Sequence, residues 1–264
     1  MDEHKPAQAR APASKAAVVW AVGDGADGGS AADSVVSLIR RSDPDRLLYL
    51  GDVYEYGTAE EFRDNYAPSW GKLAKITAPT PGNHDWPNHR EGYDPYWKSI
   101  RGRTFPSWYS LREGGWKIIS VNSETDHRSG SPQVRWLKRA LRGPGDCRIA
   151  FWHRPRFNAG LHGDAPGVQP LWKPLAGRAR IALWGHDHNM QRLRQRSGIV
   201  QFVSGAGGHK PYPLVPLDQR VAFGDASTPG ALRLDLRPGS ARYRFVSVAG
   251  KTLDSGRVSC HTGR

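Results

Sequence analysis

The sequence of 264 residues contains only two cysteines, Cys147 and Cys260, which are too few for a disulfide scaffold or a cysteine-only zinc site. It has no apolar run of the roughly 18 to 20 residues that cross a bilayer, so we expect no membrane-spanning helix. No internal repeat is visible, and no dense basic block with interleaved aromatic residues is present. With 38% hydrophobic and 24% charged residues, the composition is instead typical of a globular protein.

The charge is strongly one-sided, because 38 Lys and Arg residues against 25 Asp and Glu residues give a formal net charge of +13. Such an excess favours anionic partners, among them phosphate esters, nucleic acid and acidic surfaces. The basic residues are spread along the chain, however, so an arginine-rich solvated surface explains the excess equally well. Nucleic acid is therefore a partner that the sequence allows but does not favour.

The N-terminal residues differ from the rest of the chain. Residues 1–14 are mainly Ala, Pro and charged residues without hydrophobic periodicity, which predicts a flexible tail. Residues 15–264 show no convincing boundary, which predicts a single catalytic domain. The first residues include no apolar segment of a signal peptide. Secretion with removal of a signal peptide before residue 1 is one expectation for the location, which the sequence leaves open.

Short apolar runs alternate with amphipathic segments, which predicts an α/β fold. A capping box at Thr58 and the pair Ser131-Pro132 each indicate the start of a helix, and the apolar face of the second carries Val134, Leu137 and Leu141. The last third alternates apolar and polar residues between glycines, as antiparallel strands do. Buried strands are expected at residues 16–22, 47–50, 76–80, 148–152 and 181–184, a helix at 31–41, and a strand pair at 107–111 and 116–122.

The buried strands are repeatedly followed by Asp, Asn or His, each of which can bind a metal ion. These residues are Asp24, Asp52, Asn83, His153 and His186. In α/β folds the carboxyl ends of the strands line one crevice, where ligands bind. Five strand ends that each offer a metal ligand therefore predict a metal site at this edge.

The types of these residues indicate which metals would bind. Carboxylates, an amide oxygen and imidazoles suit Zn, Mn or Fe better than copper(I) or calcium. His186 and His188 are two residues apart, so on an extended backbone they point the same way and can serve two adjacent metals. Asp52 can bridge such a pair, and Asn83 can bind without adding negative charge. Two metals about 3.5 to 4 Å apart polarise a phosphoryl oxygen and generate a bound hydroxide.

Five motifs in this order resemble those of the calcineurin-like metallophosphoesterases, and within them the purple acid phosphatase-like branch. They are Gly23-Asp24-Gly25, Gly51-Asp52-Val53-Tyr54, Gly82-Asn83-His84-Asp85, Trp152-His153-Arg154-Pro155 and Gly185-His186-Asp187-His188. The similarity runs from about residue 18 to residue 208. It implies an α/β sandwich of two packed mixed β-sheets flanked by helices, with two metal ions, divalent or trivalent, at one sheet edge.

The resemblance also implies a role for each motif residue. Asp24 and His188 would bind the first metal, and Asp52 would bridge the two. Asn83, His153 and His186 would bind the second metal. His84 and His162 would face the substrate as catalytic residues. Asp85 and Asp187 are expected to orient neighbouring histidines or to cap turns.

The first metal site departs from the pattern of the family. Many relatives have a histidine at the position of Ala26, and the purple branch uses a tyrosine three residues after the bridging aspartate. That position is Glu55 here, between Tyr54 and Tyr56. A one-residue deletion in the loop would make Tyr54 the ligand, which is our prediction, with Tyr56 as the alternative. Without either tyrosine the first site would be weaker and the purple colour absent.

The function implied is that of a metal-dependent hydrolase of phosphate esters, most simply an acid-phosphatase-like phosphomonoesterase that uses a metal-bound hydroxide. A phosphodiesterase acting on cyclic nucleotides, nucleic acid or lipid head groups is one alternative, and a catalytically silent binding module is another. Substrate specificity is expected to depend on the loops 86–105 and 157–170, whose sequences do not identify the substrate.

Cys147 and Cys260 form either one disulfide, which implies an oxidising compartment, or they are two unrelated thiols.

Overall fold

In the computed structural model, which describes residues 15–262, thirteen strands form two mixed sheets. The strands are β1 Ala17–Val22, β2 Arg46–Tyr49, β3 Thr77–Pro79, β4 Tyr109–Glu113, β5 Trp116–Ser120, β6 Arg148–Phe151, β7 Ile181–Trp184, β8 Met190–Arg196, β9 Ile199–Ser204, β10 Val221–Asp225, β11 Gly230–Arg237, β12 Ser240–Ser247 and β13 Thr252–Ser259. One sheet has the order β13-β12-β11-β1-β2-β3 and the other β10-β8-β9-β7-β6-β5-β4. The predicted tail, residues 1–14, lies outside the described residues.

Five α-helices accompany the strands, and the two helix starts that were predicted from capping patterns are confirmed. Thr58 and Glu61 form a reciprocal capping box, and the Ser131 hydroxyl accepts from Val134 N–H at 3.2 Å. The helices are α1 Ser30–Arg40, α2 Ala59–Glu61, α3 Tyr93–Arg101, α4 Pro132–Ala140 and α5 Gln169–Trp172, with a π-helix at Phe62–Tyr66 and 3₁₀ segments at Trp70–Ile76, Pro166–Val168 and Lys173–Leu175.

Helix α3 lies within residues 86–105, which the sequence predicted to be a loop. Tyr93 and Trp97 are one helical turn apart, and both are buried against the core. Pro95 interrupts the expected helical pattern of the sequence, but it lies in the first turn, where a missing N–H is tolerated. Part of this segment is therefore framework rather than a substrate loop.

The two sheets pack face to face, and helices cover their outer faces. Between the sheets lie apolar side chains from both, including Leu48 of β2, Phe151 of β6 and Leu234 of β11. Helix α1 and helix α3 pack on the outer face of the six-stranded sheet, and helices α4 and α5 on that of the seven-stranded sheet. The predicted fold, two packed mixed sheets flanked by helices, is confirmed.

Strand direction brings the strand ends that carry the predicted ligands of the two sheets to the same edge. Strands β1, β2 and β3 are parallel, and so are β5, β6, β7 and β9. Just after β1, Gly23 N–H donates to the carbonyl of Ser204, the last residue of β9, at 3.0 Å. The carboxyl ends of the two parallel sets therefore meet, and we call this the site edge.

The opposite edge, at the amino ends of these strands, is closed covalently. Cys147 lies just before β6 and Cys260 just after β13, and the two form a disulfide with 5.1 Å between their Cα atoms. Of the two possibilities that the sequence left open, the bridge is correct.

In the described part of the chain, every helix is too short or too polar to cross a membrane.

Candidate metal centre

Sharp turns of the backbone present predicted ligand side chains at the site edge. Asp24, Asp52 and His186 each follow a glycine after a strand and have φ angles of 60°, 71° and 72°. Left-handed backbone is uncommon for residues other than glycine, and it concentrates at functional sites. Three of the predicted ligands therefore lie in a backbone conformation that is unfavourable for their residue type, as residues of functional sites often do.

Four side chains form what we call the second ligand group: Asp52, Asn83, His153 and His186. His153 Nε2 lies 3.0 Å from Asn83 Oδ1, 3.1 Å from His186 Nδ1 and 3.2 Å from Asp52 Oδ2. The possible ligand atoms of Asp52, His153 and His186 all lie within 4.8 Å of one another. These four predicted residues are therefore brought together around one small volume.

The first ligand group consists of Asp24, Tyr54, His188 and again Asp52. Tyr54 Oη lies 2.9 Å from His188 Nε2, 3.2 Å from Asp24 Oδ1 and 3.4 Å from Asp52 Oδ2. The side chain of Tyr54 is buried, whereas Tyr56 is 68% exposed. Of the two tyrosines that the sequence offered, the structure brings Tyr54 into the group and leaves Tyr56 outside.

The spacing of these atoms fits metal ions. With metal–ligand bonds of about 2.1 Å, neighbouring ligands of one ion lie roughly 3 Å apart, which matches most separations in both groups. The same oxygen, Asp52 Oδ2, belongs to both. Two glycines leave room for the carboxylates of these groups. A Cβ added at Gly82 would overlap Asp52 Oδ1, and one at Gly185 would lie 2.6 Å from Asp24 Oδ2.

Backbone carbonyls orient two of the histidines. His153 Nδ1 lies 2.8 Å from the carbonyl oxygen of Leu50, and His188 Nδ1 lies 2.7 Å from that of Lys210. A carbonyl only accepts, so in each ring Nδ1 carries the proton and Nε2 points into its ligand group. Such contacts to the remote nitrogen are common for histidines that bind metals.

The buried charges of the centre are strongly coupled. Burial opposes charge on His153, but the Asp52 carboxylate outweighs it and raises the pKa of His153 to about 10. Burial alone would raise the pKa of Asp52, yet the positive charge of His153 holds it below its usual range. Burial lowers the pKa of His188 to about 4 and raises that of Asp24 well above its usual range. A centre so rich in buried acids therefore needs positive charge, which a proton on His153 or a cation can supply.

Asp85 joins the loop of the shared carboxylate to the loop of Asn83. Its buried carboxylate accepts from the backbone N–H groups of Asp52 at 2.8 Å, Val53 at 3.0 Å and Gly82 at 2.7 Å. Burial, followed by the Asp52 charge, raises the pKa of Asp85 to about 7. The sequence suggested a capping role for Asp85, and these three contacts show which loops it holds.

The two predicted catalytic histidines lie beside the ligand groups and are partly exposed. His84 Nδ1 lies 2.5 Å from the carbonyl of Glu55, and the His84 ring lies 4.7 Å from the Tyr54 ring. The His162 ring stacks on His186 at 4.1 Å, and Asp187 holds His162 Nδ1 at 3.2 Å. Both histidines can therefore contact a molecule that approaches the ligands from solvent.

Three residues at the centre were not predicted from the sequence. Arg154 Nη1 lies 3.4 Å from His186 Nε2, and the Arg154 Nε is held by both oxygens of Glu124 at 3.0 and 3.1 Å. The ring of His209 stacks on Tyr54 at 4.0 Å, and that of Tyr212 stacks on His188 at 3.9 Å. Arg154 follows the predicted ligand His153 within a motif, which was a usable signal, whereas His209 and Tyr212 lie on a loop without any motif.

The sequence model of the calcineurin-like phosphoesterases matches residues 11–190, more than half of the chain. The chain belongs to the calcineurin-like phosphoesterase family. A member of this family hydrolyses phosphate esters with the help of metal ions, so the chain is a metal-dependent phosphoester hydrolase. The ligand groups described above supply residues of the right chemistry for the metal.

Relatives place this phosphoesterase in the purple acid phosphatase-like branch. It is 23% identical to tartrate-resistant acid phosphatase type 5 of Mus musculus over 268 residues, which cover 84% of the chain and 81% of the mouse protein. It is 24% identical to the probable purple acid phosphatase 20 of Arabidopsis thaliana over 260 residues, which cover 81% of the chain and 59% of that protein.

Solved structures share the fold of this phosphoesterase. Purple acid phosphatase PPD1 from yellow lupin (Lupinus luteus) superposes with a TM-score of 0.73 at 18% identity, covering 93% of the chain and 54% of the lupin chain. GAP50 of Plasmodium, described as the anchor in the inner membrane complex, superposes with a TM-score of 0.75 at 13% identity, covering 94% and 90%. At these identities the superpositions report the fold alone.

Proposed function

We propose that this phosphoesterase is a phosphomonoesterase with a dinuclear metal centre. The observation that carries the proposal is that Asp52 Oδ2 lies 3.2 Å from His153 Nε2 in one ligand group and 3.4 Å from Tyr54 Oη in the other. One oxygen shared by two groups of suitable ligands is the arrangement that a pair of bridged ions requires. The acid phosphatases among the relatives support the choice of a monoester.

The ligand set favours iron, zinc or manganese. The first group offers two carboxylates and a phenol, which as a phenolate suits a hard trivalent ion such as ferric iron. The second group offers two imidazoles and an amide oxygen beside the shared carboxylate, which suits zinc, manganese or ferrous iron. Two metal ions held by these residues would polarise a phosphoryl oxygen and supply hydroxide near neutral pH.

Arg154 is proposed to bind the phosphate group. If His186 binds metal through Nδ1, its Nε2 carries a proton and faces the Arg154 guanidinium at 3.4 Å, two donors without an acceptor between them. A phosphate oxygen placed there would accept from both. Because Glu124 fixes the guanidinium, little side-chain entropy is lost on binding. A dianionic monoester gains more from this cation than a monoanionic diester does.

His84 and His162 are proposed to act on the leaving group. Nδ1 of His84 is engaged by the Glu55 carbonyl, and Nδ1 of His162 by Asp187. In each ring Nε2 remains to hold or give a proton to the oxygen of the departing alcohol. Two histidines are thus placed to assist departure, and neither has to form a covalent bond to phosphorus.

The disulfide between Cys147 and Cys260 supports a location outside the reducing cytosol. We propose that the protein works in an oxidising compartment, as a secreted phosphatase does.

The test combines elemental analysis of the purified protein with rates on an aryl phosphate monoester and the matching diester. Two metals per chain and a kcat/KM for the monoester at least ten times that for the diester are expected. A faster diester would instead support a phosphodiesterase. Fewer than two metals per chain together with no turnover of either ester would support a silent binding module.

A further inference from the structure

Exposed apolar side chains collect beside the metal centre. Among residues 15–262 the large hydrophobic residues with exposed side chains are Tyr56, Ile100, Leu161, Val215 and Leu217. Leu161, Val215 and Leu217 are 60%, 51% and 97% exposed, and they lie on two neighbouring loops that we call the apolar rim. Single exposed apolar residues need no explanation, but a group of them beside a reactive site indicates a binding surface.

The two loops of the apolar rim are joined to each other. Gly160 and Leu214 form an antiparallel bridge, and Val215 N–H donates to the carbonyl of Ala159 at 2.7 Å. These backbone contacts hold Leu161 and Val215 in neighbouring positions. Leu161 and Val215 therefore belong to one surface, and Leu217 lies two residues further along the same loop as Val215.

The apolar rim is also continuous with the metal centre. Leu161 directly precedes His162, whose ring stacks on the ligand His186 at 4.1 Å. On the other loop Tyr212 stacks on the ligand His188 at 3.9 Å and donates its N–H to the His188 carbonyl at 3.2 Å. Both loops thus run from a ligand histidine outward to an exposed apolar side chain.

The rim itself is apolar, and the charges of Arg220, Asp164 and Asp218 that flank it are paired with one another. Residues 157–161 and 211–217 contain no charged side chain, although 24% of the whole chain is charged. A sugar or nucleotide moiety would need polar partners for its hydroxyl groups and bases. Apolar side chains favour groups that leave water readily.

We propose that the apolar rim binds the organic part of the substrate, so that the preferred substrates are soluble phosphate monoesters of apolar alcohols. This inference rests on the proposed phosphomonoesterase function. The leaving oxygen would contact His162, and the first carbon of the alcohol is one bond further from phosphorus. An alcohol whose oxygen contacts His162 would leave the metal centre past Leu161 and the facing loop.

The experiment compares methyl, butyl and octyl phosphate, at concentrations below those at which octyl phosphate forms micelles. The three leaving alcohols have nearly the same acidity, so the chain length changes burial and not the chemical step. A fully buried methylene changes binding by up to about fourfold. On this partly open surface we expect kcat/KM to rise at least about tenfold from methyl to octyl phosphate.

A triple variant, Leu161→Ser, Val215→Ser and Leu217→Ser, tests the surface directly. It is expected to reduce the ratio of kcat/KM for octyl phosphate to that for methyl phosphate to about twofold or less. Ile100→Ser, which changes the exposed apolar side chain on α3, is the matched control and should keep the full difference. Retention of the full difference by the triple variant would overturn the proposal.

Binding of octylphosphonate and methylphosphonate, which have no ester bond to break, gives a readout independent of turnover. The wild type should bind octylphosphonate at least about tenfold more tightly, and the triple variant should not. Equal binding overturns the inference and leaves the proposed function intact, provided that methyl phosphate is hydrolysed. Failure to hydrolyse any of the three esters would contradict the proposed function instead. Rim-dependent binding to phosphatidylcholine vesicles without any chain-length effect would also overturn the proposal, in favour of a membrane contact.

Discussion

The site edge and the opposite edge of the sandwich are built from different kinds of interaction. At the site edge, buried carboxylates and imidazoles crowd together on turns with positive φ angles, as at Asp52 and His186. At the opposite edge a disulfide joins Cys147 to Cys260, and the guanidinium of Arg148 donates to backbone carbonyls, among them that of Gly143 at 3.0 Å. One edge concentrates buried acids and backbone strain, while the other is closed by a covalent bond and by hydrogen bonds to backbone carbonyls.

The difference indicates how the molecule tolerates its own active centre. Left-handed turns cost stability, and so do buried acids unless a cation is bound. A disulfide that spans 113 residues restricts the unfolded chain and offsets such costs without touching the site. We therefore expect substitutions at the site edge to change activity and those at the opposite edge to change stability.

The substitution Asp52→Ala should have the largest effect on activity. It removes the oxygen that both ligand groups share, so we expect at least about a 10³-fold loss of kcat/KM, equivalent to about 4 kcal/mol. Hydrolysis of an aryl phosphate and metal content measure it. Asp33→Ala, an exposed carboxylate paired with Lys72, is the control. Full activity in the Asp52 variant would contradict both the centre and the contrast between the edges.

Tyr54→Phe should have the next largest effect, because it removes one ligand and keeps the ring. A loss of activity of about 10- to 100-fold is expected, together with reduced metal content. If the first group binds ferric iron, the visible absorption of its phenolate contact should vanish as well. Tyr56→Phe, the exposed neighbour, should retain both properties. The reverse result would mean that the loop is rearranged and that Tyr56 is the ligand.

Arg154→Ala should weaken substrate binding more than the chemical step. Because hydrogen bonds to charged groups contribute about 1.5 to 3 kcal/mol, KM for a monoester should rise about tenfold or more. The advantage of monoesters over diesters should shrink, and inorganic phosphate should inhibit less well. Arg135→Ala on the exposed face of α4 serves as the control. An unchanged ratio of monoester to diester rates would argue against contact between Arg154 and the phosphate.

The double variant Cys147→Ser, Cys260→Ser should have the smallest effect on activity, because it changes the opposite edge. We expect it to lower the free energy of unfolding by about 2 to 4 kcal/mol and to leave kcat at low temperature unchanged. Denaturant unfolding measures the first quantity and steady-state kinetics the second. Treatment of the wild type with a reducing agent should reproduce the loss of stability. A large fall in kcat in the folded double variant would show that the two edges are coupled.

Much of the site was predictable because its residues come directly after buried strands. The sequence pattern located the strands that end before Asp24, Asp52 and His186, and the direction of parallel strands then brings these residues to one edge. The fold class followed from the same alternation of strands and helices. Local sequence was thus enough to predict those site residues that directly follow a strand.

The rest depended on contacts between distant loops. His209 stacks on Tyr54, 155 positions before it, and Glu124 fixes Arg154 from another loop. Neither contact has a local sequence signal, because neither arises from periodicity, capping or spacing. The choice between Tyr54 and Tyr56 likewise depended on the path of an irregular loop, and helix α3 on tertiary burial of Tyr93.

The carboxylate of Asp85 has a consequence that reaches beyond its own loop. It accepts N–H groups from Asp52 and Val53 on one side and from Gly82, beside Asn83, on the other. The separation between the shared oxygen and the amide ligand is thus fixed by a side chain that lies in neither ligand group. A substitution of Asp85 should therefore change which metal ions the two ligand groups prefer, although it alters no predicted ligand.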